Sequence, residues 1–95
     1  ALLFTQYGIM MLRNKKWEDD FSPLDPDGTS YVDKAYSKAY LHHLFKAQEL
    51  LALQIASIHN LAFYLWLTRE ARRHIITGDF ASWKASMVKR VAARL

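Results

Sequence analysis

The sequence predicts an α+β chain, mostly helical, in which a small N-terminal antiparallel β element is followed by helices. Three observations carry this expectation. The short apolar runs Leu2 to Thr5 and Ile9 to Leu12 flank a polar connection containing Gly8, the pattern of a paired hairpin. The segment FSPLDPDGTS, with Pro23, Pro26 and Gly28, is turn material that interrupts helix and makes a compact loop. From Lys34 onward, apolar residues recur at helical spacing.

The first of these helices is expected to start at Lys34 with one face made of Tyr36, Tyr40, His43, Leu44, Ala47 and Leu51. Leu41, Phe45 and Ala52 form a second apolar line, and Lys38, His42, Lys46 and Glu49 a polar stripe between the two. A helix that is apolar on two sides packs between two bodies. Asn60 is read as the N-cap of the next helix, with His59 at the junction before it. That helix opens on the apolar LAFYLWL and reaches a wetter surface at Arg69, Glu70, Arg72 and Arg73. Gly78 suits a helix stop and Asp79 a cap. In the last helix Phe80, Trp83, Met87, Val91 and Leu95 share a face, and Lys84, Lys89, Arg90 and Arg94 cover the remainder.

Ninety-five residues make one small domain that buries a limited core, so help from a partner surface is expected. The apolar share of 52%, with three Trp, five Tyr and five Phe, excludes a disordered tail. With no cysteine, disulfides and thiolate-bound metals are excluded. A net charge of +4 and a pI near 9.5 favour a polyanionic partner such as RNA. No secretory signal pattern opens the chain, and a start on Ala1 in mid-strand reads as a piece of a longer protein. Leu50 to Leu67 carries no formal charge and approaches membrane-spanning length, but Gln54, Ser57, His59 and Asn60 fall within it. It is read as a buried stretch of a soluble protein, with no membrane partner.

The chain offers no self-contained catalytic set. Asp19, Asp20, Asp25, Asp27 and Asp33 cluster around the turn-rich loop, where carboxylates serve as caps. Adjacent His42 and His43 point about 100° apart on a helix and do not suit one metal. Without thiolates a structural zinc site is not expected. The run RNKKW, Arg13 to Trp17, interleaves cations with an aromatic and could hold RNA phosphates, with a ring available for packing or stacking.

The pieces FT..G....RN, DFSPLDP, YSKAYLHHLFKA and IHNLAFY, in this order and spacing, resemble the queuine tRNA-ribosyltransferases, the bacterial-type tRNA-guanine transglycosylases. The resemblance implies the C-terminal portion of a TIM (β/α)8 barrel enzyme. Members exchange the wobble guanine of tRNA for a 7-deazaguanine base through a covalent aspartate intermediate. Residues 1–59 then correspond to a zinc-subdomain-like insert, and residues 60–95 to the last barrel helix and the C-terminal helix, both parts of one compact unit. The catalytic aspartates lie in earlier barrel segments, so no catalytic residue is assigned here and the piece alone is expected to be inactive.

The family's zinc is held by C-x-C-x-x-C and a histidine. The matching positions are Gly28, Ser30, Asp33 and His59, the last 26 residues after Asp33, so the spacing persists without its thiolates. The resemblance therefore implies a metal-free subdomain and no cofactor. It also implies a homodimer contact through Tyr36, Tyr40 and His43, tRNA contacts at Arg13, Asn14, Lys15 and Lys16, no DNA partner and a cytoplasmic setting. The competing reading is a stand-alone RNA- or protein-binding module without catalysis. The apolar positions Leu53, Ile55, Phe63 and Leu67 are expected to form a barrel-facing surface.

Overall fold

The computed structural model describes residues 2–95. Strands β1 (Leu2–Thr5) and β2 (Gly8–Met11) pair antiparallel, with Leu3 opposite Met10 and Thr5 opposite Gly8. Alternation along the pair buries Leu3, Thr5 and Met10 on one face. β2 starts one residue earlier than the apolar run suggests. A 3-10 turn over Lys15–Trp17 follows, then the Pro and Asp loop, and then four helices. These are α1 (Val32–Ala35), α2 (Lys38–Lys46), α3 (Leu50–Thr77) and α4 (Phe80–Ala92). The architecture is mostly helical with a two-stranded antiparallel sheet at its N-terminal end, as the fold class predicts.

The helix expected from Lys34 is broken twice. Tyr36 is extended, and its carbonyl accepts the Leu24 N–H at 2.8 Å, which pins the loop. Ser37 then caps α2 by accepting the Tyr40 N–H at 3.1 Å. At the other end Gln48 takes a left-handed conformation, φ 58°, and the Glu49 N–H closes on the Leu44 carbonyl at 3.0 Å. A glutamine gives no sequence warning of such a stop. His42 is also corrected: it leaves the expected polar stripe and is buried, its Nδ1 2.6 Å from the Leu12 carbonyl oxygen.

The expected break at Asn60 is absent, because α3 runs unbroken for 28 residues, about 42 Å. Asn60 is instead a bridge to the sheet. Its Oδ1 accepts the Phe4 N–H at 3.1 Å and its Nδ2 donates to the Leu2 carbonyl at 3.0 Å. Gly78, at φ 85°, ends α3 as expected. Asp79 does not cap α4 with its side chain; its carboxylate accepts from His74 Nδ1 and Thr77 Oγ1, each at 2.7 Å. His74 in turn stacks on Trp83, with centroids 4.9 Å apart, fixing the corner between α3 and α4. After α4, Ile9 accepts from the Leu95 N–H and donates to the Ala93 carbonyl, tying the chain end to β2.

The core gathers Leu3, Met10, Leu12, Leu24, Leu41 and Ile55, with Trp17 and Phe45 closing it. Of the four residues expected to form a barrel-facing surface, Ile55 and Phe63 are buried in this domain itself, while Leu53 is exposed. Leu50, Leu61 and Leu65 are exposed with it. By length and composition α3 is apolar enough to cross a membrane, yet only 22% of its most apolar window is buried here. The expectation of a buried stretch is therefore met on one side of α3 only, the side that carries Ile55, His59 and Phe63.

Candidate functional site

The DPDGTSYVD loop and the middle of α3 meet around one buried polar cluster. Asp33, in the first turn of α1, and His59, on α3, are each 1% exposed, and His59 Nδ1 bonds to Asp33 Oδ1. His59 Nε2 lies 2.8 Å from the Phe4 carbonyl oxygen on β1. Asp33 Oδ2 accepts the Ser30 N–H at 2.9 Å. Around these bonds the loop folds on itself, with the Asp25 N–H on the Asp33 carbonyl and the Gly28 N–H on the Asp25 carbonyl. The buried Asp25 completes the cluster: its carboxylate, that of Asp33 and the His59 ring present ligand-type atoms within 4.8 Å of one another.

The electrostatics follow from this crowding. Burial alone would push the Asp33 carboxyl up, but hydrogen bonds from His59 and Ser30 and the charge of His59 outweigh it and hold Asp33 below the ordinary carboxylate value. For His59 burial opposes the charged form, and the bond to Asp33, its charge and the Phe4 carbonyl together raise the imidazole above its usual value. Asp25 is pushed up by burial, which the nearby His59 charge offsets only in part.

These residues do not fit the zinc that the resemblance associates with the four positions. Gly28 brings no ligand, and a Cβ placed there would fall on the Asp33 carboxylate. Ser30 contributes only a hydroxyl, whose oxygen is buried without a partner among the described residues. Both nitrogens of His59 already face protein oxygens, so neither is free to bind a metal while those bonds persist.

The other residues singled out from sequence lie elsewhere. Arg13, Asn14, Lys15 and Lys16 are exposed in and before the 3-10 turn after β2. The Lys16 ammonium sits 4.7 Å over the Trp17 ring, but Trp17 itself is buried, so the ring packs into the core and is not presented for base stacking. Tyr36 is half-buried and stacks on the exposed Tyr40, centroids 5.7 Å apart and 11° from parallel. His43 is exposed one helical turn beyond Tyr40. In the sequence Asp25 has the character of a turn residue alone, and the one signal there for its place beside His59 is the DPDG turn that folds it inward.

Fold and cluster together define a small α+β module in which a buried imidazole on α3 meets two buried carboxylates, one from the DPDG turn and one from α1. The sequence profile described as queuine tRNA-ribosyltransferase matches residues 1–93, and the chain belongs to that family. The queuine tRNA-ribosyltransferase of Aquifex aeolicus (strain VF5) is 43% identical over 93 residues, 98% of this chain and 25% of the relative. That of Helicobacter acinonychis (strain Sheeba) is 44% identical over 90 residues, 95% of this chain and 24% of the relative. That of Francisella tularensis subsp. novicida (strain U112) is 43% identical over 82 residues, 86% and 22% respectively. The chain thus spans about a quarter of the length of these relatives.

Proposed function

We propose that this chain is the C-terminal, non-catalytic quarter of a tRNA-guanine transglycosylase, a transferase that exchanges the wobble guanine of tRNA for a 7-deazaguanine base in the queuosine pathway. The observation that carries the reading is the near-complete match of the chain to about a quarter of each of several queuine tRNA-ribosyltransferases. In this reading residues 1–59 are the zinc-subdomain-like insert, residues 60–95 the last helix of a (β/α)8 barrel and the C-terminal helix, and α3 runs through the junction. The piece supplies no catalytic residue and is inactive by itself.

Its task is to support dimerisation and tRNA docking in the cytoplasm. Exposed Tyr40 and His43, with Tyr36 stacked behind, suit a second subunit, because aromatic surface of this kind is stabilised by removal from water. The exposed cations Arg13, Lys15 and Lys16 beside Asn14 suit phosphates. An apolar groove lined by Phe4, Ile9, Leu67, Trp83, Met87 and Val91 suits packing against the barrel. The deciding experiment is base exchange by the full-length parent: incorporation of labelled guanine into tRNA is expected, and none with correctly folded parent overturns the reading.

A further inference from the structure

His59 uses both of its ring nitrogens, and each faces an atom that only accepts. The Phe4 carbonyl has no proton to give, and an ionised Asp33 carboxylate has none either. The Ser30 N–H donating to Oδ2 favours the ionised carboxylate, and opposite an ionised Asp33 each His59 nitrogen carries its own proton, so the ring is an imidazolium with two N–H donors aimed at two different segments. Those segments are far apart in the chain: Phe4 on β1 is 55 residues from His59, and Asp33 in α1 is 26.

We infer that this chain has a metal-independent cross-link, in which protonated His59, bonded at both nitrogens, ties the Asp33 loop and strand β1 to α3 and takes over the joining role that a four-ligand metal site has elsewhere. Gly28 belongs to the same device. Its missing side chain leaves the space that the Asp33 carboxylate occupies, so glycine at 28 and aspartate at 33 are a matched pair. The loop is held from the other side by the Ser30 N–H on Asp33 and by the backbone bond from Asp25 to Asp33. The raised imidazole and the lowered Asp33 carboxyl agree with this arrangement. Pairing and hydrogen bonding on every side are what allow two charges to be held out of water.

The test uses the full-length protein that carries this segment, purified without added metal. Metal analysis is expected to find no stoichiometric zinc, and neither a chelator nor added zinc is expected to move the melting temperature. His59→Gln is expected to melt roughly 5–10 °C lower, with no rescue by zinc. With 15N-histidine labelling, both His59 nitrogens are expected in the protonated N–H range. Stoichiometric zinc, a chelator-induced drop in melting, a His59→Gln variant as stable as the parent, or a His59 nitrogen without a proton each overturns the inference. If His59→Gln does not fold, the metal analysis and the nitrogen resonances of the unaltered protein still decide. A parent that passes these tests but exchanges no base leaves the cross-link standing and removes only the activity reading.

Discussion

Asn60 holds the Phe4 backbone: its side-chain oxygen accepts the Phe4 N–H at 3.1 Å while its amide reaches the Leu2 carbonyl at 3.0 Å. A residue in the middle of a long helix thus pairs with the outer side of β1 as a neighbouring strand would. Replacing Asn60 by Ala removes both bonds, leaving the part-buried Phe4 N–H short of a partner while the exposed Leu2 carbonyl turns to water. The expected cost is about 1–3 kcal/mol in chemical denaturation. An Asn60→Ala protein with unchanged stability would show that water replaces the side chain at no cost.

The cluster around His59 gives stability a defined pH dependence. For His59 the folded value is raised, so its contribution is fully present below the unfolded value of about 6.5 and is lost as pH rises through the higher folded value. For Asp33 the folded value is lowered, so its contribution is present above about 3.9 and is lost as pH falls through the lower folded value. Asp25 acts in the opposite sense: with its carboxyl raised by burial, ionising it costs stability as pH climbs from the unfolded value to the folded one. Melting temperatures from pH 4 to 9 are expected to decline on the alkaline side, and Asp33→Asn to flatten that decline while lowering the whole curve. Parallel curves for the two proteins would contradict the assignment.

Gly28 is expected to tolerate no side chain. In Gly28→Ala the new methyl meets the Asp33 carboxylate, which is held by His59 and Ser30 and cannot swing away without breaking those bonds. The variant is expected to lose on the order of 1–3 kcal/mol, the range for overpacking a filled site. The same change at Gly78 also costs stability, through backbone strain at φ 85°, but there it meets no neighbour within 4 Å. A relaxed Asp33 in a stable Gly28→Ala structure would refute the matched pair.

For the parent enzyme, the double substitution Tyr36→Ala and Tyr40→Ala is expected to shift sedimentation toward monomer. Tyr40→Ala alone is the cleaner probe, since Tyr36 also packs against the core. A dimer unaffected by both changes would move the subunit contact elsewhere.

Replacing Arg13, Lys15 and Lys16 by Ala is expected to weaken tRNA binding at low salt and to reduce the salt dependence by about one slope unit for each phosphate contact removed. Trp17 stays in place in this test because its buried ring supports the core. Equal affinity and equal slope for the triple variant would exclude this turn from the RNA surface.

How much of this was legible in the sequence differs from one element to the next. The apolar runs between Leu2 and Leu12 announced a strand pair, Pro23 and Pro26 a loop, and Gly78 a helix end, because each depends on backbone preferences of residues close in the chain. The spacing of positions 28, 30, 33 and 59 was also visible, as was the lack of thiolates among them. What only the tertiary structure decided is how polar residues are used. Asn60 has the chemistry of a cap and of a strand partner, and β1 lying alongside α3 selects the second. His42 and His59 look like surface or junction residues until the Leu12 and Phe4 carbonyls arrive to satisfy them inside. Asp25 reads as a turn residue until the loop closes it against His59. A hydrogen-bond donor is indifferent to where its acceptor stands in the chain, so the local sequence determines the strand pair, the loop and the end of α3 at Gly78, and the partners brought together by folding determine what the buried polar groups do.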